Sequence, residues 1–437
     1  MSLFWLGLLG LVCCFILIFL RMPIAFAFAF GGFIGIWIVR GLNPAFEAIG
    51  SVPFATMSMY VWSVVPLFTF MGFLAFHTNL AGEFYEGVRK WVGQVRGGLA
   101  MAVILGNTGF GACTGDPVSA CVTFTAISLP QMRKFHYDDK LTLGSVAAGS
   151  ILAGMIPPSM GYILYGALTE TSIGQLFMGG VFPGLILASL YCGIIFIRCQ
   201  LNPLIGPRGP KTTWREKLGA GTGMYALIIV FVVIIGGIFI GLFTPTEAGA
   251  AGAFTVLMIG LIRKKLSWSD FKTTLREASI ATGMVGLLLV SCMILNTFLV
   301  VTQVPRTIAT IITSMTSDPK VAIAIITGVL LILGCFIDGL ALVLIMTPIL
   351  YPIVTALGVD PVHYGILQGM AIGCGGLTPP FGILVYACTG TAKDVPLFDV
   401  FRGAAPFLFA NLTNLIIVLF NPQIALFLPG LMFPALK

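Results

Sequence analysis

The chain reads as apolar runs of membrane-crossing length divided by short polar punctuation. Apolar runs cover 3–20, 23–39 and 53–76. A charged amphipathic stretch from Glu83 to Arg96 follows, then an interrupted apolar segment at 98–130 and the basic loop Arg133-Lys134. A span broken by a Pro-Pro pair covers 141–168, and another covers 180–197. The most polar stretch, 198–222, carries Pro203, Pro207, Pro210 and a Lys/Arg cluster and divides the chain in two. Beyond it lie spans at 223–242 and 247–262, a second amphipathic arm from Arg263 to Glu277, a span at 278–301 and a third arm at 303–319. An interrupted segment at 321–355, a broken span at 362–390 and a last span from about 404 complete the pattern. With about 20 apolar residues needed per crossing, this predicts an all-α polytopic membrane protein of about ten transmembrane helices plus two re-entrant helical hairpins.

Composition agrees with the pattern. At 58% hydrophobic and 9% charged over 437 residues, the chain is excluded from the water-soluble classes. The first run, Leu3 to Leu20, has no basic region before it and no small-residue cleavage site, so it reads as a retained helix rather than a signal peptide. Ten Cys residues sit mostly inside apolar runs without metal-ligand spacing, and three His are scattered. No transition-metal site, cofactor or disulfide framework is expected from them. The net charge of +7 is accounted for by topology and requires no nucleic-acid partner.

Sliding the sequence by 222 positions places Asp116 on Asp338, Thr125 on Thr347, Ile127 on Ile349, Pro130 on Pro352 and Asp138 on Asp360. Gly154 then falls on Gly376, Pro157-Pro158 on Pro379-Pro380 and Thr169 on Thr391. Both rare intramembrane Asp residues and both Pro-Pro pairs share one gapless offset, which marks a duplicated unit. Orientation follows from the basic residues. With the N-terminus periplasmic and both interrupted segments re-entrant, all but Arg40, Arg306, Lys320 and Lys437 of the 23 Lys/Arg face the cytoplasm, as the positive-inside rule expects. The first hairpin then opens to the cytoplasm and the second to the outside, so the repeats are inverted.

Inverted repeats with broken helices point to a secondary transporter. A Pro-Pro pair deletes two backbone donors, and in lipid the freed carbonyls are tolerated only where they line a cavity or meet a ligand. The breaks at 154–159 and 376–380 and the tips at 111–117 and 334–339 supply carbonyls, hydroxyls and one carboxylate each, an oxygen-rich set suited to Na⁺. The half-helix N-termini after the breaks suit an anion. Asp116 and Asp338 alone among 16 acidic residues lie deep in apolar segments. They either bind an ion or simply cap a hairpin tip. Asn107-Thr108 and Asn296-Thr297 either face a substrate path or hydrogen-bond between helices. Ser159, Thr378 and Asn107 are the first candidates for an anionic headgroup, with Thr108, Pro158 and Pro380 beside them. No His/Glu metal pattern or partnered nucleophile argues for an enzyme.

The motifs I-D-G-L-A-L-V-L-I-M-T-P (337–348), G-G-L-T-P-P-F-G (375–382), F-T-P-T-E-A-G-A (243–250) and A-G-M-I-P-P-S (153–159) closely resemble the large membrane subunit of tripartite ATP-independent periplasmic (TRAP) transporters. That resemblance covers essentially the whole chain. It implies a bacterial inner-membrane, multi-pass protein that imports a small organic anion, a carboxylate or sulfonate, by an elevator mechanism coupled to Na⁺. It implies as partners a small four-helix membrane subunit and a periplasmic substrate-binding protein. It divides the chain into scaffold helices and first arm (1–97), a first repeat core (98–197), a central loop with further scaffold helices and arms (198–320), and a second repeat core with the last helix (321–437). Carried over residue by residue, one Na⁺ site would use Thr114, Gly115 and Asp116 with Gly154, Met155 and Ile156. The other would use Ile337, Asp338 and Gly339 with Gly376 and Thr378. Many family members carry Ser-Gly-Ser at the first tip where this chain has Thr114-Gly115-Asp116 before Pro117. That carboxylate either strengthens a cation site or, protonated, alters the coupling ion. A stand-alone divalent-anion symporter coupled to Na⁺ or H⁺ is the alternative within the same architecture.

Overall fold

The computed structural model describes residues 2–219, 221–316 and 318–432, which form helices and connecting turns with no β-strand among them. Lys437 of the orientation argument lies outside these residues. Seven helical stretches among the described residues are long and apolar enough to cross a membrane: Tyr60–His77, Asp139–Thr169, Ile173–Leu201, Pro245–Ile262, Trp268–Val301, Gly339–Ala356 and Leu397–Phe420. Shorter apolar helices of 10–17 residues, among them Leu3–Phe19, Ile24–Arg40, Gly98–Thr114 and Pro319–Gly334, complete the bundle.

The 222-residue offset organises far more of the chain than the stretch where identities mark it. It carries Ile24–Arg40 onto Pro245–Ile262, the arm Leu80–Val92 onto Val304–Met315, and the hairpin helices Gly98–Thr114 and Pro117–Lys134 onto Pro319–Gly334 and Gly339–Ala356. The broken helix Asp139–Met155 and Met160–Thr169 falls on Pro361–Gly375 and Ile383–Thr391, and Ile173–Leu201 falls on Leu397–Phe420. The matched Asp residues share one structural role. Asp116, Asp138, Asp338 and Asp360 are all N-caps whose carboxylates accept backbone N–H groups of the first helical turn, each worth about 1 kcal/mol against Ala. Each arm follows a residue in the left-handed region, Asn79 at φ 56° and Gln303 at φ 59°, which turns the chain out of the preceding span.

Three expectations are corrected. The run 53–76 is not one helix: Leu42–Met57 ends, a 3₁₀ turn covers Tyr60–Ser63, and Val64–His77 begins anew. Pro66 explains the restart, since its ring is accommodated in a first turn but would strike the Trp62 carbonyl in a continuous helix. The stretch from Arg263 to Glu277 is not a separate arm. Trp268–Val301 is one helix of 34 residues, opened by a capping box of Ser267 and Asp270, and no Pro interrupts it before the apolar run. The last span begins at Leu397 and ends at Phe420, and a further helix, Gln423–Met432, follows.

The repeats exchange partners. Ile24–Arg40 packs on Trp268–Val301, and Pro245–Ile262 packs on Val64–His77. Deeper in the bundle, Pro117–Lys134 of the first hairpin packs on Ile383–Thr391, and Gly339–Ala356 of the second packs on Met160–Thr169. Tyr165 of Met160–Thr169 also donates to the Pro361 carbonyl, at the start of Pro361–Gly375, at 2.8 Å. In the first of these contacts, the Cys121 and Cys388 sulfurs lie 3.1 Å apart, both buried. Diamide treatment is therefore expected to join Cys121 to Cys388 and lower the thiol count by two. The same treatment of a Cys388→Ala variant should leave Cys121 alkylatable on unfolding, and a wild-type count that stays unchanged would contradict the packing.

Charged residues clasp the base of the first hairpin. Arg133 bridges Asp139 at 2.8 Å and Asp394 at 2.7 Å, and Lys140 reaches Asp399 at 3.2 Å. The Arg133 guanidinium holds the exposed Asp394 carboxyl below its ordinary range. The polar dividing stretch forms a strap beneath the same hairpin. Gly97 N–H donates to Gly206 O at 2.9 Å, Asp138 N–H to Ile205 O at 3.1 Å, and the Tyr137 hydroxyl to Pro207 O at 2.7 Å.

Candidate functional site

Both hairpin tips and both helix breaks converge on one cavity. Its wall includes Gly115, Asp116, Gly154, Met155 and Ser159 from the first repeat, and Gly334, Ile337, Asp338, Gly339 and Gly376 from the second. It offers about 90 Å³ to the centres of water-sized molecules. Glycines let the backbones approach this closely. A Cβ at Gly375 would meet Gly334 Cα at 2.6 Å, and one at Gly154 would meet the Pro117 ring at 2.7 Å. Gly115 takes a left-handed turn at φ 61°, and its carbonyl accepts Met160 N–H at 3.2 Å, tying the first tip to the first break. Both breaks are cis Pro-Pro bonds, Pro157-Pro158 and Pro379-Pro380.

The two carboxylates are bound in parallel ways. Asp116 Oδ2 accepts Ser119 N–H at 2.8 Å and the Ser119 hydroxyl, while Oδ1 has only a long contact of 3.4 Å from Val118 N–H. Asp338 Oδ2 accepts Leu340 N–H at 3.1 Å and Ala341 N–H at 3.3 Å. One oxygen of each carboxylate thus serves its cap, and the other is left lightly engaged. Capping and facing the cavity are compatible roles, so the alternatives left by the sequence are not exclusive.

The polar wall is all oxygen and backbone. Among the described residues lining the cavity there is no Lys, Arg or His, and nowhere among the described residues do three or more His, Cys, Asp and Glu gather as a metal site. Carbonyl, hydroxyl and carboxylate oxygens fit a hard cation and not a soft one. Part of the carbonyl set is already engaged: Gly115 O by Met160 N–H and Gly376 O by Leu384 N–H at 3.1 Å. A carbonyl keeps a second lone pair in such a case.

A family profile described as "Tripartite ATP-independent periplasmic transporter, DctM component" matches residues 11–424. The chain belongs to this family. The DctM-family chain is 32% identical over 378 residues to the C4-dicarboxylate TRAP transporter large permease protein of Pseudomonas aeruginosa, covering 86% of this chain and 88% of the relative. It is 31% identical to the ectoine/5-hydroxyectoine large permease of Ruegeria pomeroyi, covering 96% and 97%. It is 30% identical to the sialic acid large permease of Vibrio cholerae, covering 98% and 97%. Among solved structures, the Alcanivorax borkumensis YdaH transporter matches with a TM-score of 0.63 at 11% identity, covering 87% of this chain and 88% of that one, a likeness of fold alone. Membership makes the chain a multi-pass inner-membrane permease and not an enzyme.

The residues singled out in this DctM-family sequence divide into two groups. Gly115, Asp116, Gly154, Met155, Ser159, Ile337, Asp338, Gly339 and Gly376 line the shared cavity. Nine others do not, Asn296 and Thr297 of Trp268–Val301 among them. Asn107 is fully buried outside the cavity wall, with its amide nitrogen on the Val103 carbonyl at 3.0 Å and beside Gly149 of Asp139–Met155, and its amide oxygen without a hydrogen-bond partner. Thr108 bonds back to Ile104 O at 2.9 Å, and Thr114 to Phe110 O at 3.4 Å. Ile156 packs against Gly184. Thr378 turns its hydroxyl to Cys374 O at 2.8 Å, away from a headgroup. Pro158 places its carbonyl against Gly115, and Pro380 is exposed. Sequence reading missed Tyr162, Val118, Gly369 and Ile372, which also line the cavity. The Gly365, Gly369, Gly373 spacing in Pro361–Gly375 was the available signal, since small residues every fourth position mark a close helix contact. Gly369 receives the Tyr162 ring.

Proposed function

We propose that this chain is the membrane permease of a Na⁺-coupled importer of a small carboxylate- or sulfonate-bearing molecule. The observation that carries the reading is the single cavity at which both tips, both breaks and two carboxylates meet. Na⁺ would be held beside each tip. The first set is Gly115 and Asp116 with Gly154 and Met155; the second is Ile337, Asp338 and Gly339 with Gly376, all of them in the cavity wall. The substrate headgroup would meet Ser159 and the half-helix N-terminus it caps. Each Na⁺ entering gains about 2.3 kcal/mol per 100 mV of membrane potential, so two ions more than offset one monoanion. The hairpins and broken helices, 98–197 and 321–437, would move as a transport unit against a scaffold formed by 1–97 and 198–320, with the N-terminus periplasmic. A small membrane subunit would complete the scaffold, and a periplasmic binding protein would deliver the substrate. These partners are supported by the tripartite composition that the family description names.

The test is uptake into proteoliposomes holding the chain, its small subunit and its binding protein, with a panel of carboxylates and sulfonates. An inward Na⁺ gradient is expected to raise uptake at least tenfold. Uptake indifferent to Na⁺ but driven by a proton gradient would remove Na⁺ from the reading.

A further inference from the structure

The central cavity adjoins a second one beside the second tip. This outer chamber, of about 260 Å³, shares Gly334, Ile337, Asp338 and Ile383 with the central cavity and adds Phe336, Phe381 and Tyr386. The Phe336 and Phe381 rings meet edge to face with centroids 6.0 Å apart, and Phe19 of the helix Leu3–Phe19 approaches Phe381 to 6.3 Å. Phe336, Phe381 and Tyr386 are each 46% exposed. Rings so exposed in a membrane protein ordinarily face lipid. Asp338 argues otherwise here, because a carboxylate in the wall marks a space that holds water or ligand rather than acyl chains. The two adjoining cavities thus give the site an oxygen-lined part and an aromatic part.

Few side chains in either part could bond a polar cargo. The Tyr162 hydroxyl is buried against Gly369, Asp116 and Asp338 are claimed by cations in the reading above, and Ser159 and Tyr386 remain as hydroxyls. A polyhydroxylated cargo would leave water for a wall that returns few of its hydrogen bonds. A dicarboxylate would place its second charge beside Phe336 and Phe381, where no Lys, Arg or His is present among the described lining residues. An apolar body has no hydrogen bonds to lose there and gains contact with the rings. We infer that the molecule carried joins one carboxylate or sulfonate to an apolar body that packs on Phe336 and Phe381. The anionic group then lies in the central cavity with Ser159 and the coupling cations. This rests on the transport reading above and narrows its cargo from organic anions in general to alkyl- and aryl-monocarboxylates and -sulfonates.

The experiment uses the chain with its small subunit in lipid nanodiscs, in Na⁺, and titrates pairs that share a carbon skeleton, with saturation-transfer NMR to reach weak binding. Cyclohexanecarboxylate is set against quinate and hexanoate against gluconate, with phenylacetate as an aryl monoanion and succinate as the dianion. The apolar member of at least one pair is expected to bind about ten times more tightly than its hydroxylated partner, and phenylacetate more tightly than succinate. Phe381→Ala, and separately Phe336→Ala, should bring that ratio close to one, and an unchanged melting temperature would show that each variant is folded. Phe409→Ala, at an exposed position outside both walls, should leave the ratio as it is. Tightest binding of quinate, gluconate or succinate, binding of no apolar compound, or a ratio that survives in both ring variants would each overturn the inference. Apolar selectivity that stands without Na⁺ dependence would instead defeat the coupling reading and leave this one intact.

Discussion

Asp338→Asn is expected to cut Na⁺-driven uptake about a hundredfold or more while the protein still folds and melts near the wild-type temperature. Asn caps helices about as well as Asp, so the bonds to Leu340 and Ala341 N–H can be retained at nearly equal volume. What disappears is the negative charge at the second tip. Two unit charges 4 Å apart attract by about 4 kcal/mol at an effective dielectric of 20, and each 1.4 kcal/mol is tenfold in affinity. The loss should appear as a raised Na⁺ requirement and a shallower dependence of uptake on Na⁺ concentration. Wild-type uptake with an unchanged Na⁺ dependence would leave Asp338 as a helix cap and nothing more.

Gly375→Ala should cost both stability and transport. A methyl group there would meet the Cα and carbonyl oxygen of Gly334, each at 2.6 Å. Both are backbone atoms, so no side chain can swing aside, and the second hairpin must shift away from the broken helix. Overpacking of this kind costs about 1–3 kcal/mol, and the shift would move Asp338 relative to Gly376. Uptake is expected to fall at least tenfold, with a lower melting temperature. Gly283→Ala is the control, because it lies within Trp268–Val301 with nothing within 4 Å of the added carbon. It should be neutral, or stabilising by about 0.5–1 kcal/mol as a helix-interior glycine is replaced. Equal behaviour of the two variants would mean that the tip is not held by this contact.

The sequence announced the parts of the fold that depend on backbone chemistry. Pro-Pro pairs cannot sit in an unbroken helix, and Asp before a helix caps it, so hairpins, breaks and offset were legible before any coordinates. Helix boundaries governed by less obvious signals were not. Leu42–Met57 carries Asn43, Pro44, Glu47 and Pro53, which dilute its hydropathy so that only its last residues join the apolar run at 53–76. The polar residues at the start of Trp268–Val301 were separated from the apolar run they lead into, although the Ser267/Asp270 box marks one helix start. For the site, residue type located the carboxylates and Ser159 but could not say which way a side chain faces. Asn107 and Thr378 carry suitable chemistry but spend the Asn107 amide nitrogen and the Thr378 hydroxyl on their own helices, while Tyr162 resembles any other aromatic residue in an apolar run until its place against Gly369 in the cavity wall is seen.

The exchange of partners between the repeats has a consequence for biosynthesis. The first hairpin finds its packing surface in Ile383–Thr391, and the sulfurs that touch there belong to residues 267 positions apart in the chain. At the usual 5–20 residues per second, the ribosome takes roughly 13 to 50 seconds to deliver the second of them after the first. Through that interval the first hairpin stands in the nascent protein with a carboxylate at its tip and no partner for one face. The first half therefore cannot reach its final packing until translation is nearly finished, and the insertion machinery must shelter it until then.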